Sequence, residues 1–459
     1  MSLTAQVAIV GCGPVGALLG NLLGRRGISC LIVEKQPSQY PLPRAVHFDG
    51  ESMRVFQAAG LAEEILPDVL VGKGMRFQDG SGKVLVDWPR AQDIGPLGWH
   101  ESYRFHQPDL EAVLRRGLAQ FSDCVLMSGC AVTALSQNAD DVLLSLDDGR
   151  TVAADYVVGC DGAQSFVRNA LNVEFDDLGF KQDWLVVDLL INGAAADRGD
   201  YTIQFCDADQ PATYVRGPGR RRRWELRLED GAAPETEAKA WEMLQRWVSP
   251  EDAEMERFAV YTFRSAIAKD WRVGRCFLAG DAAHLTPPFM GQGMCAGVRD
   301  VANLAWKLAA VLGGGRAGVL DSYQSERFAN VQEFIALAVD LGRLISQTTA
   351  GVAAKGKMKS IWPALGAGLG ARDGLGGTLA PQVRAADGRL SDEVADGGFY
   401  VLAQARFDAA VPVVVAAEGW LSDRGVFGVV VRPDGYVFGG AEDQAGVLEL
   451  VAECRRLLK

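Results

Sequence analysis

The chain has 459 residues, 48% hydrophobic and 23% charged, and 58 acidic against 46 basic side chains leave a net charge of −12. This is the profile of a globular protein large enough for two or three domains, and it excludes the basic surface that nonspecific nucleic-acid binding needs. No run approaches the roughly 20 apolar residues of a membrane helix, and the start lacks a basic stretch followed by a removable apolar segment. A cytoplasmic protein with neither nucleic acid nor membrane as partner is therefore expected. The 9 cysteines form no CxxC and no cluster with the 4 histidines, which points to reduced thiols rather than disulfides or a metal centre. An organic cofactor is the better match.

In chain order, residues 6–10 read as a short apolar strand, followed by GCGPVG at 11–16, a helical pattern, and a second strand at 29–33 that ends in Glu34. Gly11 permits the tight turn, Gly13 lets the backbone approach a pyrophosphate, and Gly16 lets helix and strand pack closely, while the helix N-terminus offers free N–H groups. Glu34 stands where an acceptor for a ribose diol is needed and disfavours a 2′-phosphate, so NAD or FAD is expected, without a choice between them. Pro14, Val15 and Lys35 complete this candidate nucleotide set.

A loop leads to a helix starting near Asp49 or Gly50. Residues 74–90 suggest two short strands around a DGSG turn, and 108–121 an amphipathic helix. Strands are expected at 124–128, 142–146 and 154–159, with the turn Asp147-Asp148-Gly149 between the last two. From 183 to 265 the alternation becomes strand-like (184–190, 201–205, 212–216, 223–228), with one helix near 237–248. This mostly antiparallel texture reads as a second, inserted domain. The run Arg220 to Arg223 is either a solvated hairpin turn or a landing place for an anion. Helices dominate from 297 to about 347, and 350–382, rich in Gly and Ala with Pro363 and Pro381, reads as a linker. Strands at 399–403, 411–416, 426–432 and 436–439 with a closing helix at 444–458 suggest a small separate α/β unit.

Two further stretches carry chemistry. In AGDAAHLTPPFMGQGMCAG (279–297), Asp281 leaves a strand at 276–279 and is placed either to accept hydrogen bonds from sugar-alcohol hydroxyls or to cap a helix. Pro287 and Pro288 stiffen the loop, so the Pro287 carbonyl can face a ligand in a fixed position. Gly291 and Gly293 free the backbone for close contact. In YVVGCDGAQSFVRNAL (156–171), Asp161-Gly162 occupies a turn between a strand and a helix.

With YPLPRAVHFDGESMR, FHQPDLEAVL, VVGCDGAQSFVR, LAGDAAHLTPPFMGQG and GVRDVANLAWKLA in this order, the chain resembles the FAD-dependent aromatic hydroxylases, which are single-component flavoprotein monooxygenases. It is most similar to the 3-(3-hydroxyphenyl)propionate hydroxylase group, and the resemblance covers about residues 5–345. It implies an α/β fold with a Rossmann-like FAD-binding domain (1–77, 101–180 and 266–348) and an inserted, mostly antiparallel substrate domain (78–100 and 181–265). A linker (349–384) would lead to a C-terminal unit (385–459) similar to the thioredoxin-like appendage of some members, although it lacks a CxxC.

The resemblance implies that Gly280-Asp281 binds the ribityl chain of FAD and that Pro287 lies beside the isoalloxazine and the substrate. Gly291, Gly293, Met294 and Cys295 would surround the flavin, with the amides opening the next helix favouring negative charge on the ring. Asp161-Gly162 would serve FAD and the nicotinamide coenzyme, and Arg44 and Gln107 match positions near the phosphates and ribityl chain. Cys295 departs from the family asparagine. Either the contact there is made by backbone and little changes, or the flavin is held less tightly, or the thiol is reactive.

The implied chemistry is reduction of FAD by transient NADH or NADPH, reaction with O2 to a flavin C4a-hydroperoxide, and attack on it by an electron-rich phenol. Asp49 lines up with the family aspartate at the substrate hydroxyl. A carboxylate in an apolar pocket has a raised pKa and suits a base, yet Asp49 is equally placed as a helix N-cap. His47 is a second candidate. On the substrate-domain strands, Tyr214, Arg223 and Glu225 are the candidate contacts, and an arginine is the natural partner of a substrate carboxylate. The expected substrate is a phenol of the 3-hydroxyphenylpropionate kind, the alternative a polycyclic metabolite or antibiotic. A flavin-binding sensor without oxygenase activity is the rival of another class. A monomer and a homodimer are both compatible with the sequence.

Overall fold

The computed structural model describes residues 2–207, 209–229, 231–345, 361–370, 373–416 and 419–459. The architecture is mixed α/β, with one sheet parallel at its centre and another mainly antiparallel. Among the described residues no helix is long and apolar enough to cross a membrane. All nine cysteines are unpaired.

In the first sheet the strands Cys276–Leu278, Thr151–Gly159, Ser2–Val10, Cys30–Glu34 and Cys124–Ser128 run side by side and parallel. Val7–Val10 and Cys30–Glu34 are buried throughout, which is why they read as apolar runs rather than alternations. The hairpin of Val132–Gln137 and Val142–Leu146 branches from Thr151–Gly159. Helix Pro14–Gly24 packs between the sheet and helix Gly293–Leu312. Small residues permit this closeness: a Cβ on Gly20 would stand 2.7 Å from Ile32, and one on Gly297 2.6 Å from Val15.

The second sheet has eight strands, dominated by Phe175–Ile191 and Ala253–Ala268. The latter was not legible as a strand of its own, because charged and apolar residues mix along it and much of it is only partly buried. Helix Glu237–Leu244 stops earlier than the sequence pattern suggested, the chain turning at 245–247. It covers one face of the sheet with Leu185, Val187, Tyr214, Trp224 and Leu226 beneath it. By strict alternation the other face carries Trp184, Asp188, Thr202, Arg223 and Glu225. The arginine run is only half a solvated turn: Arg220 lies exposed in it, whereas the residues that follow enter a strand. Pro218-Gly219 make the turn, strand Arg221–Arg227 starts inside the run, and Arg222 and Arg223 are buried on opposite faces against Asp197 and Asp188.

The C-terminal unit has its own four-stranded sheet, ordered Val413–Val415, Tyr400–Ala403, Gly428–Val431, Val437–Ala441, with helix Gln444–Leu457 against it. Separate in its sheet, it shares its core with the body of the protein: Trp306 and Val319 pack with Phe399, Val430 and Phe438. Buried ion pairs Arg432–Glu326 and Arg54–Asp392 cross the same boundary. Residues 349–360 and 371–372 of the expected linker lie outside the described residues. The described remainder is tied down, with Leu369 N donating to Glu326 and Gln382 N to the Pro96 carbonyl.

Candidate active site

The parallel register pairs Val10 with Gly159, Gly159 with Leu278 and Val10 with Val33. Four sequence features far apart in the chain (Gly11, Glu34, Asp161 and Gly280-Asp281) therefore emerge at one carboxyl edge of one sheet, the usual ligand edge of a parallel sheet. Gly11 has φ +97° and a Cβ there would stand 2.5 Å from the Cys160 carbonyl oxygen, while one on Gly16 would meet the Gly11 oxygen at 2.0 Å. Gly13 is different. Nothing lies within 4 Å of its Cβ position, and the helix it precedes has no side-chain cap. Open space over unsatisfied N–H groups is what a pyrophosphate requires.

Glu34 accepts Cys12 N at 2.7 Å and Gln36 N at 2.8 Å, which fixes its carboxylate at the edge, with exposed Lys35 following. Helix Gln107–Leu118 supplies three polar residues at fourfold spacing. Gln107 Oε1 accepts Arg44 N at 3.0 Å and Ala45 N at 2.7 Å, and its amide donates to Glu111 at 2.6 Å. Gln107 thus shapes the loop that carries Arg44, whose own side chain is exposed. Arg115, which the motif reading missed, donates to the Cys12 carbonyl at 3.0 Å, and its Nε is buried without a partner. The i, i+4, i+8 spacing was the available signal.

Asp161 accepts Ser165 Oγ at 2.5 Å and Val167 N at 3.1 Å, closing its own turn, and burial pushes its pKa up. Gly162, at φ +81°, faces open space. Gly280 (φ +60°) donates its N–H to Asp300 at 3.0 Å, and Asp300 also holds His284 at 2.6 Å and Arg327 at 2.9 Å. Asp300, a second residue the motifs did not single out, sets this turn. Asp281 keeps an exposed side chain in a crowded place. The surrounding protein raises its pKa, with His284 and Arg44 pulling the other way.

Downstream, Pro287 (φ −56°) enters the turn Pro288–Met290, Gly291 sits at φ +65°, and helix Gly293–Leu312 begins after Gln292 with no side-chain cap. The N–H groups of Gly293, Met294 and Cys295 are the free amides of its first turn. The Cys295 side chain itself is buried, with Sγ 3.6 Å from the Gly291 carbonyl, and burial pushes the thiol up to about 12. Burial thus opposes the thiolate that a reactive cysteine needs. Cys295→Ala is expected to leave flavin affinity within about threefold, checked by fluorescence titration, because only the backbone of this residue faces the amide cluster. Gly291 is the opposite case: a Cβ would stand 2.6 Å from His47 Nδ1 in a left-handed backbone. Gly291→Ala is expected to weaken flavin binding at least tenfold in the same assay.

Both candidate catalytic side chains make structural contacts, and Asp49 shows the N-cap that was one of its two readings. Asp49 caps helix Gly50–Ala58 through Ser52 N at 2.9 Å, accepts Gln292 Nε2 at 3.1 Å and is ion-paired with Arg299. Burial alone would raise its pKa, but Arg299 and the Ser52 hydrogen bonds hold it at about 2. His47 uses both ring nitrogens, one with the Gly291 carbonyl at 3.2 Å and the other with Ser102 Oγ at 3.1 Å. Burial and neighbouring Arg104 lower its pKa to about 3 and keep it neutral. Both residues brace the 291–292 loop.

On the substrate sheet, Tyr214 faces away from Arg223 and Glu225. Register places it beside Trp224 on the face under helix Glu237–Leu244, with its hydroxyl donating to Asp197 at 2.9 Å. Arg223 shares a face with Glu225 and is engaged through four hydrogen bonds. It donates to Asp188 at 2.7 and 3.1 Å, to the Arg44 carbonyl at 2.6 Å and to the Pro43 carbonyl at 2.8 Å, so it locks the sheet to the Arg44 loop. Glu225 lies on the same face, buried, with its pKa raised by burial and its nearest cation Arg223 at 4.0 Å. An aromatic wall of Trp184, Phe263 and Phe289 joins the sheet to the 287–291 loop.

These residues fit an extended dinucleotide with a polar ring system. Gly13 leaves room for phosphate, two helix N-termini lack caps, and Arg115 Nε and Thr286 Oγ1 are buried without partners. Residues 4–338 match the family described as "FAD binding domain". A probable NADH-specific resorcinol 4-hydroxylase of Rhodococcus jostii (strain RHA1) is 37% identical over 98% of this chain and 94% of its own length. A 3-(3-hydroxy-phenyl)propionate/3-hydroxycinnamic acid hydroxylase of Klebsiella pneumoniae (strain 342) is 39% identical over 75% of this chain, which spans 63% of that relative. Among solved structures, the flavin-dependent monooxygenase PieE with FAD and substrate superposes with a TM-score of 0.85 at 21% identity, covering 99% of both chains. Aklavinone-11 hydroxylase with FAD and aklavinone gives 0.83 at 24%, with the same coverage of both chains. At these identities the two structures speak for the fold. By the family match and the two curated relatives together, the chain belongs to the FAD-binding flavoprotein monooxygenases, the family of the aromatic hydroxylases.

Proposed function

We propose that the chain hydroxylates a single-ring phenol of the resorcinol or 3-hydroxyphenylpropionate kind, in the cytoplasm, with O2 as co-substrate and NADH as electron donor. The observation that carries this reading is the convergence of Gly11, Glu34, Asp161 and Gly280-Asp281 on one sheet edge, continuous with the 287–293 loop. The names of the two curated relatives support the phenol, and the first of them supports NADH over NADPH. The polycyclic alternative has the fold likeness alone behind it.

Gly11, Gly13, Pro14, Val15, Gly16, Glu34, Lys35 and Arg115 would hold the adenine half of FAD. Arg44, Gln107, Asp161, Gly162, Gly280 and Asp281 would hold its middle, and Pro287, Gly291, Gly293, Met294 and Cys295 the ring. FAD, when bound, supplies the redox chemistry that passes electrons from the nicotinamide to O2. The chain's own residues orient and shield. The Pro287 carbonyl accepts no hydrogen bond from a described residue and is left to face a ligand. The amides of 293–295 favour negative charge at the ring edge, and the Trp184–Phe263–Phe289 wall limits water beside the substrate. Glu225 is the remaining carboxyl with a raised pKa on this face, and we assign it to the substrate side.

The test is an absorption spectrum of the purified protein, then oxidation of NADH and of NADPH with a panel of phenols and identification of the products. A yellow protein with phenol-stimulated NADH oxidation and a hydroxylated product is expected. A colourless protein that gains no flavin spectrum with added FAD would end the reading. Hydrogen peroxide as the sole product with every phenol would favour a binding protein without oxygenase activity.

A further inference from the structure

Arg104 stands out electrostatically among the buried arginines. Its side chain is 9% exposed, and its one hydrogen bond runs from Nη2 to Thr202 Oγ1 at 2.7 Å. Among the described residues no carboxylate lies within ion-pair distance, and the charge that acts on it is another cation, Arg90. Every other buried arginine is neutralised by an Asp or Glu except Arg168, which donates to two backbone carbonyls and stacks on Phe175. A guanidinium has five N–H donors in a planar fork, and burying it without an anion is unfavourable. Burial and Arg90 accordingly lower its pKa to about 10, a value at which it still carries its charge at neutral pH.

Its position gives the unpaired charge a purpose. Strand Ser102–Arg104 pairs with His47–Asp49 so that Arg104 stands directly opposite His47, whose ring touches the Gly291 carbonyl. Thr202, its only partner, lies on the face of the substrate sheet opposite the Tyr214–Trp224 core, in register with Met75. The guanidinium thus sits between the 291–293 loop and the substrate sheet. Asp49 does not serve it, being held by Arg299, and of the other arginines on that face Arg223 and Arg257 are both paired with Asp188.

We propose that Arg104 binds an acidic oxygen of the substrate, a carboxylate or an ionisable ring hydroxyl meta to the hydroxyl that directs the reaction. The inference rests on the proposed phenol hydroxylation and adds to it what the substrate must carry. The two chemistries share one requirement, a negative or readily ionised oxygen that accepts the guanidinium fork.

The test begins on the unmodified holoenzyme, where ligand binding is read from the perturbation of the flavin absorption. Resorcinol or 3-hydroxyphenylpropionate is expected to bind at least tenfold more tightly than 3-methoxyphenol, which keeps size and hydroxyl but lacks the second acidic oxygen. Tight binding of resorcinol alone assigns the hydroxyl, and of 3-hydroxyphenylpropionate alone the carboxylate. R104Q is expected to raise Kd and KM for the preferred ligand tenfold or more, to leave 3-methoxyphenol within twofold, and to keep its FAD. R104K should restore part of the preference, and Thr202→Val should keep it while weakening binding only a few-fold. Equal affinity of the unmodified enzyme for all three ligands, or the same preference in folded R104Q, overturns the assignment of Arg104. Failure of every phenol to perturb the flavin or stimulate NADH oxidation overturns the proposed function instead, so the two failures are distinct. If R104Q does not fold, the ligand preference of the unmodified enzyme and of R104K decides.

Discussion

Arg299→Met is expected to cost about 3–5 kcal/mol of stability, the usual penalty for removing one partner of a buried ion pair. Arg299 is 2% exposed and sits between two buried carboxylates. Its Nε donates to Glu51 at 2.6 Å, its Nη1 to the Gln292 side chain at 2.9 Å, and its Nη2 to Asp49. Glu51 in turn accepts the Tyr436 hydroxyl of the C-terminal unit at 2.6 Å. Methionine fills the space but leaves both anions uncompensated and frees Gln292, the residue just before the uncapped helix. Flavin affinity should therefore fall together with stability.

The pH dependence separates this account from a loss of packing. Asp49 is held at about 2, below its ordinary value of 3.8, so its contribution is present above pH 4 and lost as pH falls through about 2. In the variant, burial without Arg299 raises Asp49, and the sign reverses: stability is lost as pH rises through the range where it ionises. Urea denaturation at pH 5 and pH 7.5 measures it. A midpoint in the variant that does not drop between these values would contradict the electrostatic role of Arg299. Asp49→Asn, by the same reasoning, should lower stability and leave the pH profile of turnover where it was.

The parts of the site that were legible in the sequence are those whose chemistry is local. Gly11, Gly280 and Gly291 hold left-handed turns, Gly16 a close approach of helix to strand, and Pro287-Pro288 and the strand ends before each motif are written in consecutive residues. Local too were the strands at 124–128 and 142–146 and the N-cap signal at Asp49 with Ser52 three residues on. What could not be read was pairing across the chain. Period-2 alternation says that residues 223 and 225 share a face, but not that Tyr214 on the neighbouring strand points the other way, because register is set by tertiary contacts.

For the same reason Asp49 carried two readings until Arg299, 250 positions away, decided between them. The cation Arg104 was invisible as a candidate because its distinction is a missing partner, and a missing partner has no sequence pattern. The stretch 361–384 looked like a linker because Gly and Ala dominate it. Glycine there serves close packing: a Cβ on Gly366 would stand 2.2 Å from the Ser325 carbonyl oxygen, and one on Gly368 2.2 Å from the Glu326 side chain.

Glu326→Gln is expected to match Arg299→Met in cost, about 3–5 kcal/mol, whereas Lys307→Met beside it should stay within about 1 kcal/mol. Glu326 lies at the seam between the C-terminal sheet and the two long helices. Arg432 donates to both its oxygens, at 2.9 and 2.7 Å, with Leu369 N at 2.7 Å, Asn303 at 2.8 Å and Lys307 at 2.7 Å. Burial opposes its charge, but Arg432 and Lys307 outweigh that and hold it far below the usual carboxylate range. Gln keeps the shape and discards the charge, which leaves Lys307 and Arg432 facing each other with Asp434 as the remaining anion.

Lys307 is the dispensable member. Burial lowers its pKa to about 8, so deprotonation is easy, and Glu326 keeps four donors without it. Its depressed value also fixes the pH sign. The unfolded lysine holds its proton more tightly, so this side chain costs stability at neutral pH, and that cost is relieved as pH rises from about 8 to 10.5. Lys307→Met should remove this rise. Thermal midpoints of the three proteins at pH 7 and pH 9 measure both effects, and equal losses for Glu326→Gln and Lys307→Met would refute the asymmetry. Because Trp306 and Asn303 of the same helix also reach Asp434, the Glu326 variant should loosen the C-terminal sheet first. Proteolytic nicking within residues 361–384, ahead of global unfolding, is the expected sign of that order.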